Sequence, residues 1–298
     1  MMEIATLLSV GVSNGCLYGL VGLGLVLVYN AQGIPNFAHG ELFMATAFAA
    51  YVANVILGIP YALSFLIAIA FAAVLGMLVE FLAIRPISTN RALGRASTDV
   101  AVVLSTVGLM ITIKGLARIP WGDSVRKLPG AFSTETVTIG SLVISTQRLL
   151  IIVVAAVLTV CISLFFARTS LGKKMRATSQ NITGAKLIGI NTGHIYSATW
   201  GLAAVCGGIA GVLAAPIIFL HPDMGTRMLL KGFAAACLGG FGSVSGVFVG
   251  GILMGIVEIF FGRYLATSMM DIFAPIIIIV VLLFRPQGLF GARRAVRV

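Results

Sequence analysis

The sequence predicts an all-α fold, a polytopic membrane helix bundle of about eight transmembrane helices with a half-helix or re-entrant turn near residues 229–245. Of the 298 residues, 59% are hydrophobic and 10% are charged, whereas a soluble domain carries roughly 25% charged residues. Apolar runs of roughly 20 residues, the length that crosses a hydrocarbon core about 30 Å thick, recur along the chain. We therefore expect one transmembrane domain over residues 1–298.

The apolar pattern places each span in turn. The first run has no basic segment before it and no small-residue cleavage site after it, so we expect a first span rather than a removable signal peptide. Seven further runs follow, separated by polar or glycine-rich segments. The predicted spans lie near residues 5–29, 37–57, 60–84, 99–117, 148–167, 195–215, 246–262 and 271–284.

The distribution of charge predicts which connections face the cytoplasm. The formal net charge is +11, but the basic residues lie in short segments between spans, as the positive-inside rule predicts, and do not indicate nucleic-acid binding. Three such segments lack acidic residues and are assigned to the cytoplasmic side. They hold Arg85, Arg91 and Arg95; Arg168, Lys173, Lys174, Arg176 and Lys186; and Arg285, Arg293, Arg294 and Arg297.

Two long connections differ in character. The segment near 168–194 is a basic cytoplasmic loop, whereas the segment near 118–147 carries charges of both signs and is predicted to be external. Polar and apolar residues alternate at 137–139, which predicts a short hairpin in the external loop.

The short apolar piece at 229–238 leaves the orientation open. If this piece crosses the membrane, the amino terminus lies outside and the carboxyl terminus lies in the cytoplasm. If one early segment is instead re-entrant, the amino terminus lies inside.

Glycines mark a helix break and close helix packing. Gly239, Gly240, Gly242 and Ser243 follow the short apolar piece. We expect them to interrupt a helix at membrane depth, where a break is tolerated only against protein or a water-filled cavity. Glycine pairs four residues apart, such as Gly11/Gly15 and Gly251/Gly255, favour tightly packed helices.

A polar group stands at the start of the second predicted span. Asn36, His39, Gly40 and Glu41 enter an apolar run, and ionisable residues within a membrane usually face a cavity or a partner. One interpretation makes them part of a gate or pathway. The other makes Asn36 the cap of the second helix, with Glu41 favoured by the helix dipole.

Other ionisable residues lie in or beside spans. Glu80, Lys114, Lys231 and Glu258 either line a pathway or pair and snorkel at the interface. No carboxylate pair, nucleophile–histidine set or metal-ligand spacing is evident, and the phosphate-loop pattern GxxxxGK[ST] does not occur. We expect a protein that is not an enzyme, has no catalytic residues and binds neither metal nor cofactor.

The basic loop contains a candidate docking helix. Thr183 is predicted to cap a short helix that passes through Ala185 and ends at Gly189. This helix would expose Leu187 and Ile188 together with Ile190, which is costly unless they meet another protein. A docking helix for a cytoplasmic partner and an interfacial helix lying on lipid are the two interpretations.

Four segments carry a resemblance to a known family. They are GIPNFAHGELFM at 33–44, MRATSQNITGAKLIGIN at 175–191, GFAAACLGGFGSVSGVFVGGILMGIVE at 232–258 and FRPQGLFG at 284–291. In order, spacing and total length the chain resembles the H-type permease subunit of branched-chain amino acid ABC importers, the high-affinity leucine, isoleucine and valine system.

The resemblance implies a mode of action and a set of partners. It implies pairing with a second related permease subunit, two cytoplasmic ATP-binding subunits that use ATP, an external substrate-binding protein, and a multi-pass location in the bacterial or archaeal cell (inner) membrane. Related permeases carry urea, short amides or other amino acids, and a secondary transporter or channel is the competing class. The implied ATPase-coupling residues are Arg176, Thr183, Gly184, Ala185, Leu187, Ile188, Gly189 and Ile190.

One position departs from the family pattern. Where relatives often carry an acidic pair, this chain has Gln180 and Asn181. The resemblance therefore does not extend to a charge-based contact of these two positions with the ATPase.

Overall fold

The computed structural model describes residues 2–89, 94–131, 136–139, 142–264 and 270–291, and these residues form a bundle of α-helices with one small hairpin. The predicted all-α membrane fold is confirmed. Four predicted cytoplasmic residues lie outside the described ranges: Arg91, Arg293, Arg294 and Arg297. The helices are α1 (Met2–Gln32), α2 (His39–Tyr51), α3 (Tyr61–Val79), α4 (Arg85–Ser88), α5 (Arg95–Trp121), α6 (Thr146–Arg168), α7 (Ser170–Gln180), α8 (Ile182–Leu187), α9 (Thr192–Ile218), α10 (Met224–Gly239), α11 (Val244–Tyr264) and α12 (Met270–Phe284).

Each of the eight predicted spans coincides with a helix. Two π-helical turns, Val52–Ile56 and Glu80–Ile84, continue α2 and α3 without a break. By length and composition, six helices of the described chain are long and apolar enough to cross a membrane: the helices α1, α3, α5, α6, α9 and α11. α2, α10 and α12 are shorter, with 13, 16 and 15 residues.

The predicted external hairpin is present. β1 (Thr136–Ile139) pairs antiparallel with β2 (Leu142–Ser145), and Val137 lies opposite Ile144. The alternating pattern at 137–139 is therefore a strand, as the sequence predicts.

α1 is the central helix of the bundle. It packs against α9, α10 and α11, and 83% of its most apolar stretch is buried, against 17% in α5. Glycines bring α1 and α11 into backbone contact, because a Cβ on Gly15 would lie 2.6 Å from the Gly251 carbonyl oxygen. The close packing predicted from the glycine pairs is thus confirmed for these two helices.

Interhelical contacts define two ends of the bundle. At one end, which we call the basic end, the side chain of Arg85 reaches Gly193 at the start of α9. At the opposite end, which we call the hairpin end, the backbone of Arg126 after α5 pairs with that of Leu220 after α9. α9 therefore runs from the basic end to the hairpin end.

The same contacts orient α1. Gln32, the last residue of α1, accepts a hydrogen bond of 3.2 Å from Trp200 in the first half of α9. The amino-terminal end of α1 is therefore at the hairpin end. With the basic segments in the cytoplasm, this order supports the alternative in which the amino terminus lies outside.

The short apolar piece at 229–238 belongs to α10, which runs from the hairpin end toward the basic end. α10 has 16 residues, since residues 224–228 extend the apolar piece toward the hairpin end. At the other end, Leu289 after α12 donates a hydrogen bond of 2.8 Å to the Leu238 carbonyl. The turn between α10 and α11 holds Gly240, Gly242 and Ser243, and together with Gly239 we call it the glycine turn. It lies at the basic end and interrupts the helix as predicted, and its depth in the membrane stays a prediction.

Candidate functional site

The helix α8 in the basic loop is capped at both ends. The Asn181 side chain accepts a hydrogen bond of 2.9 Å from the Gly184 backbone N–H, so Asn181 and not Thr183 is the N-cap. Thr183 lies one residue inside the helix, where its hydroxyl cannot fill that role. An amide oxygen serves as an N-cap acceptor about as well as a carboxylate, so Asn181 caps α8 without an acidic side chain.

The carboxyl end of α8 is a Schellman motif. Gly189 has a φ of +81°, its N–H donates to the Lys186 carbonyl at 3.1 Å, and the Ile190 N–H donates to the Ala185 carbonyl at 3.0 Å. This pair of bonds satisfies the last helical carbonyls and needs a residue that tolerates positive φ. The predicted stop at Gly189 is present.

α8 presents an apolar surface to its surroundings. Leu187 is 83% exposed and Ile188 is 75% exposed, whereas Ala185 is buried against the rest of the chain. Ile190 is half-buried. The loop thus holds two large apolar side chains outward on a helix whose ends are fixed.

A cavity lies behind this loop at the basic end. It has a volume of about 620 Å³ and is lined by Arg176 of α7, by Phe241 and Gly242 of the glycine turn, and by Gln287 after α12. The predicted coupling loop and the glycine turn therefore share one surface, which their separation in sequence does not reveal.

The glycine turn is fixed by the segment after α12. Gly240 has a φ of +94°, and a Cβ there would lie 2.6 Å from the Gln287 carbonyl oxygen. Gly239 contacts the backbone of Gly246, and the Ser243 hydroxyl accepts a hydrogen bond of 3.0 Å from the Gly246 N–H, which caps α11. The turn is thus a tight junction between α10, α11 and the chain after α12.

We expect Gly240→Ala to lower the melting temperature of the detergent-solubilised protein, and Gly242→Ala to leave it unchanged. At Gly240 an added methyl group meets backbone atoms and the sparsely populated backbone conformation costs about 1–3 kcal/mol, whereas a Cβ on Gly242 meets nothing within 4 Å. Thermal unfolding followed by tryptophan fluorescence tests this pair. Equal melting temperatures for the two variants would show that the junction does not hold Gly240 as described.

The polar group at 36–41 lies inside the bundle, away from the glycine turn. His39 is buried between α1 and α9, where Gly24 and Gly207 leave room for its ring. Gly40 packs against the backbone of Gly225 near the start of α10. The two sets of pathway candidates are therefore at opposite ends of α10, and the structure does not bring them together.

Asn36 and Glu41 make specific contacts in this group. The Asn36 side chain accepts a hydrogen bond of 3.0 Å from the Ala38 N–H, but Ala38 is the N-cap residue, so Asn36 makes a turn before α2 and does not cap it. Glu41 is fully buried and accepts a hydrogen bond of 2.9 Å from the Thr226 hydroxyl. The start of α2 is thus tied to α10 as well as to its own helix.

The other ionisable candidates are paired. Lys231 on α10 lies 2.6 Å from Glu258 on α11, and Glu258 is only 1% exposed. Lys114 lies 2.9 Å from Asp223 at the hairpin end. The hydrogen bond from Lys114 holds the pKa of the Asp223 carboxyl below its usual value. These pairs support the interpretation that such residues find partners, although Glu258 is too deeply buried to snorkel.

The described residues include no cluster suited to metal binding. No group of three or more His, Cys, Asp or Glu side chains converges within the described ranges. Cys16, Cys161, Cys206 and Cys237 are all free thiols.

Comparisons with known proteins agree over nearly the whole chain. The family model described as the permease component of the branched-chain amino acid transport system matches residues 7–282. The chain is 30% identical over 295 residues to the high-affinity branched-chain amino acid transport system permease protein LivH of Escherichia coli K12, covering 94% of this chain and 93% of that one. It is also 30% identical to the corresponding permease protein BraD of Pseudomonas aeruginosa, covering 94% of each.

One solved structure has the same fold. PsaBC from Streptococcus pneumoniae in complex with Fab superposes with a TM-score of 0.50 at 18% sequence identity, covering 95% of this chain and 91% of that chain. At this level of identity the likeness concerns the arrangement of helices alone.

Proposed function

Because the chain belongs to the family of permease components of branched-chain amino acid transport systems, we propose that it forms part of the translocation pathway for branched-chain amino acids in an ABC importer. Two cytoplasmic ATP-binding subunits hydrolyse the ATP, and this chain binds no cofactor and catalyses no reaction. It pairs with a second related permease subunit in the bacterial or archaeal cell (inner) membrane, and an external binding protein delivers the substrate.

The exposed apolar side chains at the end of α8 are the observation that supports its role as the coupling helix. Fully burying a leucine or isoleucine side chain contributes about 1.5–3 kcal/mol, and Leu187 and Ile188 are the most exposed large apolar side chains of the basic loop. An ATPase groove that accepts them supplies this burial. The caps at Asn181 and Gly189 keep the helix formed before the partner arrives, which lowers the entropy lost on docking.

The position of α8 in the chain allows it to move the bundle. α9 begins at Thr192, four residues after Ile188, and reaches the hairpin end. When ATP binding draws the two ATPase subunits together, α8 moves with them and tilts α9. Contacts between small residues such as Gly40 and Gly225 let helices slide over one another while they remain packed.

Uptake by the reconstituted importer tests this proposal. We expect leucine to accumulate in proteoliposomes that contain this chain, its partner permease and both ATPase subunits, supplied with the external binding protein and internal ATP. Replacement of the phosphate-loop lysine of the ATPase subunits should abolish accumulation. Uptake that continues with the disabled ATPase would contradict the ABC importer and indicate a secondary transporter or channel.

The same preparation tests the substrate. We expect leucine, isoleucine and valine to compete with labelled leucine, and urea and acetamide to have no effect. If urea is taken up and leucine is not, the substrate belongs to the other branch of related permeases and the amino acid assignment fails.

A further inference from the structure

We propose that Arg85, with Glu80 and Ser197, is a positioning residue that transmits the movement of the coupling loop to α3. The inference rests on the proposed function, since it concerns how a docked α8 moves the bundle. It assigns a role to three side chains that lie outside the loop itself, and for Glu80 it favours the paired interpretation over a place in the pathway.

The Arg85 guanidinium contacts two parts of the chain at once. Its Nε donates to Glu80 Oε1 at 3.1 Å and its Nη2 to Glu80 Oε2 at 2.8 Å, which makes a bidentate pair at the end of α3. The same Nη2 lies 3.0 Å from the Gly193 carbonyl oxygen and 2.6 Å from the Ser197 hydroxyl oxygen, so its two hydrogens are shared among these two acceptors and Glu80 Oε2. Gly193 and Ser197 lie in the first two turns of α9.

Ser197 closes the arrangement. Its hydroxyl donates a short hydrogen bond to the Glu80 Oε2 atom, which also accepts from Arg85. Each of the three side chains therefore contacts the other two. A network of this kind keeps α3 and α9 together more firmly than a single ion pair does, because charged and bidentate hydrogen bonds are the stronger ones.

The place of the network in the chain makes it suited to transmission. α9 follows α8 directly, and Gly193 is its second residue, so a displaced α8 pulls first on the atoms that Arg85 holds. Arg85 in turn directly follows the π-helical turn Glu80–Ile84 that continues α3. The network thus connects the first turns of α9, where it leaves the coupling loop, to the end of α3.

The π-helical turn explains how the pair forms. Residues three and four apart share a face of an α-helix, whereas residues five apart do not. In the π-helical turn the Arg85 N–H donates to the Glu80 carbonyl, which is an i→i+5 bond. The wider turn brings the two side chains to the same side, so this rare conformation serves the ion pair.

Burial keeps the network closed during movement. Glu80 is 1% exposed and the Arg85 side chain is 28% exposed. A buried carboxylate that loses its cationic partner is strongly unfavourable, so the helices move together and do not separate at this point. The ring of Phe81 lies 5.0 Å from the guanidinium carbon and shields it further.

The test separates coupling from folding. Complexes that carry Glu80→Gln, Arg85→Lys or Ser197→Ala are purified and reconstituted, and the leucine transported per ATP hydrolysed is measured alongside the stoichiometry of the subunits. We expect Glu80→Gln and Arg85→Lys to lower this ratio by about tenfold, in the usual range for coupling between sites. Lysine retains the charge but cannot make the bidentate contact. ATP hydrolysis by the assembled complex should persist.

Asp123→Asn is the matched control. Asp123 forms a 2.8 Å pair with Arg118 at the hairpin end, but its side chain is 77% exposed, and the pair lies far from the coupling loop. The same carboxylate-to-amide change there should leave the ratio of transport to hydrolysis unchanged. A drop equal to that of Glu80→Gln would show that the ratio reports general damage, and would overturn the assignment.

Further outcomes decide the matter. If uptake and hydrolysis fall together, or if neither changes, the three residues do not transmit movement, although wild-type uptake would still support the proposed function. If Glu80→Gln prevents assembly, Ser197→Ala is the variant to use, because it keeps the ion pair. A lowered ratio of transport to hydrolysis in Ser197→Ala supports the proposal, and an unchanged ratio overturns it. Glu80→Gln combined with Arg85→Lys should lower the ratio no further than either change alone, since both act through one contact; independent losses would contradict the network.

Discussion

We expect Gly189→Pro to abolish leucine uptake while the protein still inserts into the membrane at normal levels. Proline fixes φ near −65°, whereas this position has a φ of +81°. Proline also removes the N–H that donates to the Lys186 carbonyl. Proline further pushes the residue before it toward extended backbone, with ψ of about +120 to +160°. Ile188 has a ψ of 15° and would have to leave this conformation.

The expected loss is large because three local requirements fail together. The carboxyl end of α8 cannot form, so Leu187 and Ile188 lose the fixed positions from which they dock. The spans do not depend on this exposed loop position, and insertion should be unaffected. Uptake into proteoliposomes and the amount of ATPase that co-purifies with the permease measure the two consequences separately.

Gly189→Asn is the matched control for this variant. Asparagine adopts positive φ more readily than most residues and keeps the backbone N–H. It should therefore retain much of the uptake and bind the ATPase subunits. Normal transport by Gly189→Pro would rule out α8 as the docking element. Loss of transport in both variants would show that any side chain at this position prevents docking, whatever its backbone conformation.

Composition and glycine placement predict much of this fold. The spans follow from hydrophobic runs whose length the bilayer sets, and the stop of α8 follows from the conformational freedom of Gly189. The capacity of α1 and α11 for close packing follows from the pairs Gly11/Gly15 and Gly251/Gly255, each four residues apart. These features depend on residues near in sequence or on physical limits that apply to every membrane helix.

Features that depend on distant partners are not predicted. Nothing in the sequence places Thr226 beside Glu41, or the segment after α12 beside Gly240. The N-cap of α8 was misplaced because Asn181 and Thr183 are both good capping residues, and only the local backbone shows which of them stands before the first turn. Glu80 and Arg85 are five residues apart, a spacing that places two side chains on different faces of an α-helix. Their ion pair can therefore be inferred only once the π-helical turn is known.

The buried pair on α10 and α11 bears on stability. We expect Lys231→Met to destabilise the folded protein by about 3–5 kcal/mol, because Glu258 is then left buried without its cation. Lys231 Nζ lies 2.6 Å from Glu258, while Asp271 is 3.8 Å away and largely exposed. Methionine fills a similar volume, so the loss of charge and not of packing is the main effect.

The double variant isolates this effect. Lys231→Met with Glu258→Gln removes both charges, so it should be more stable than Lys231→Met alone, since no uncompensated buried charge remains. Unfolding in detergent, followed by near-ultraviolet circular dichroism against increasing denaturant, measures the relative stabilities of the variants. Asp123→Asn breaks an exposed pair, and exposed pairs are worth about 0–1 kcal/mol, so it should differ little from the unaltered protein. If Lys231→Met is as stable as that control, then Glu258 finds another partner and the pair does not hold α10 to α11.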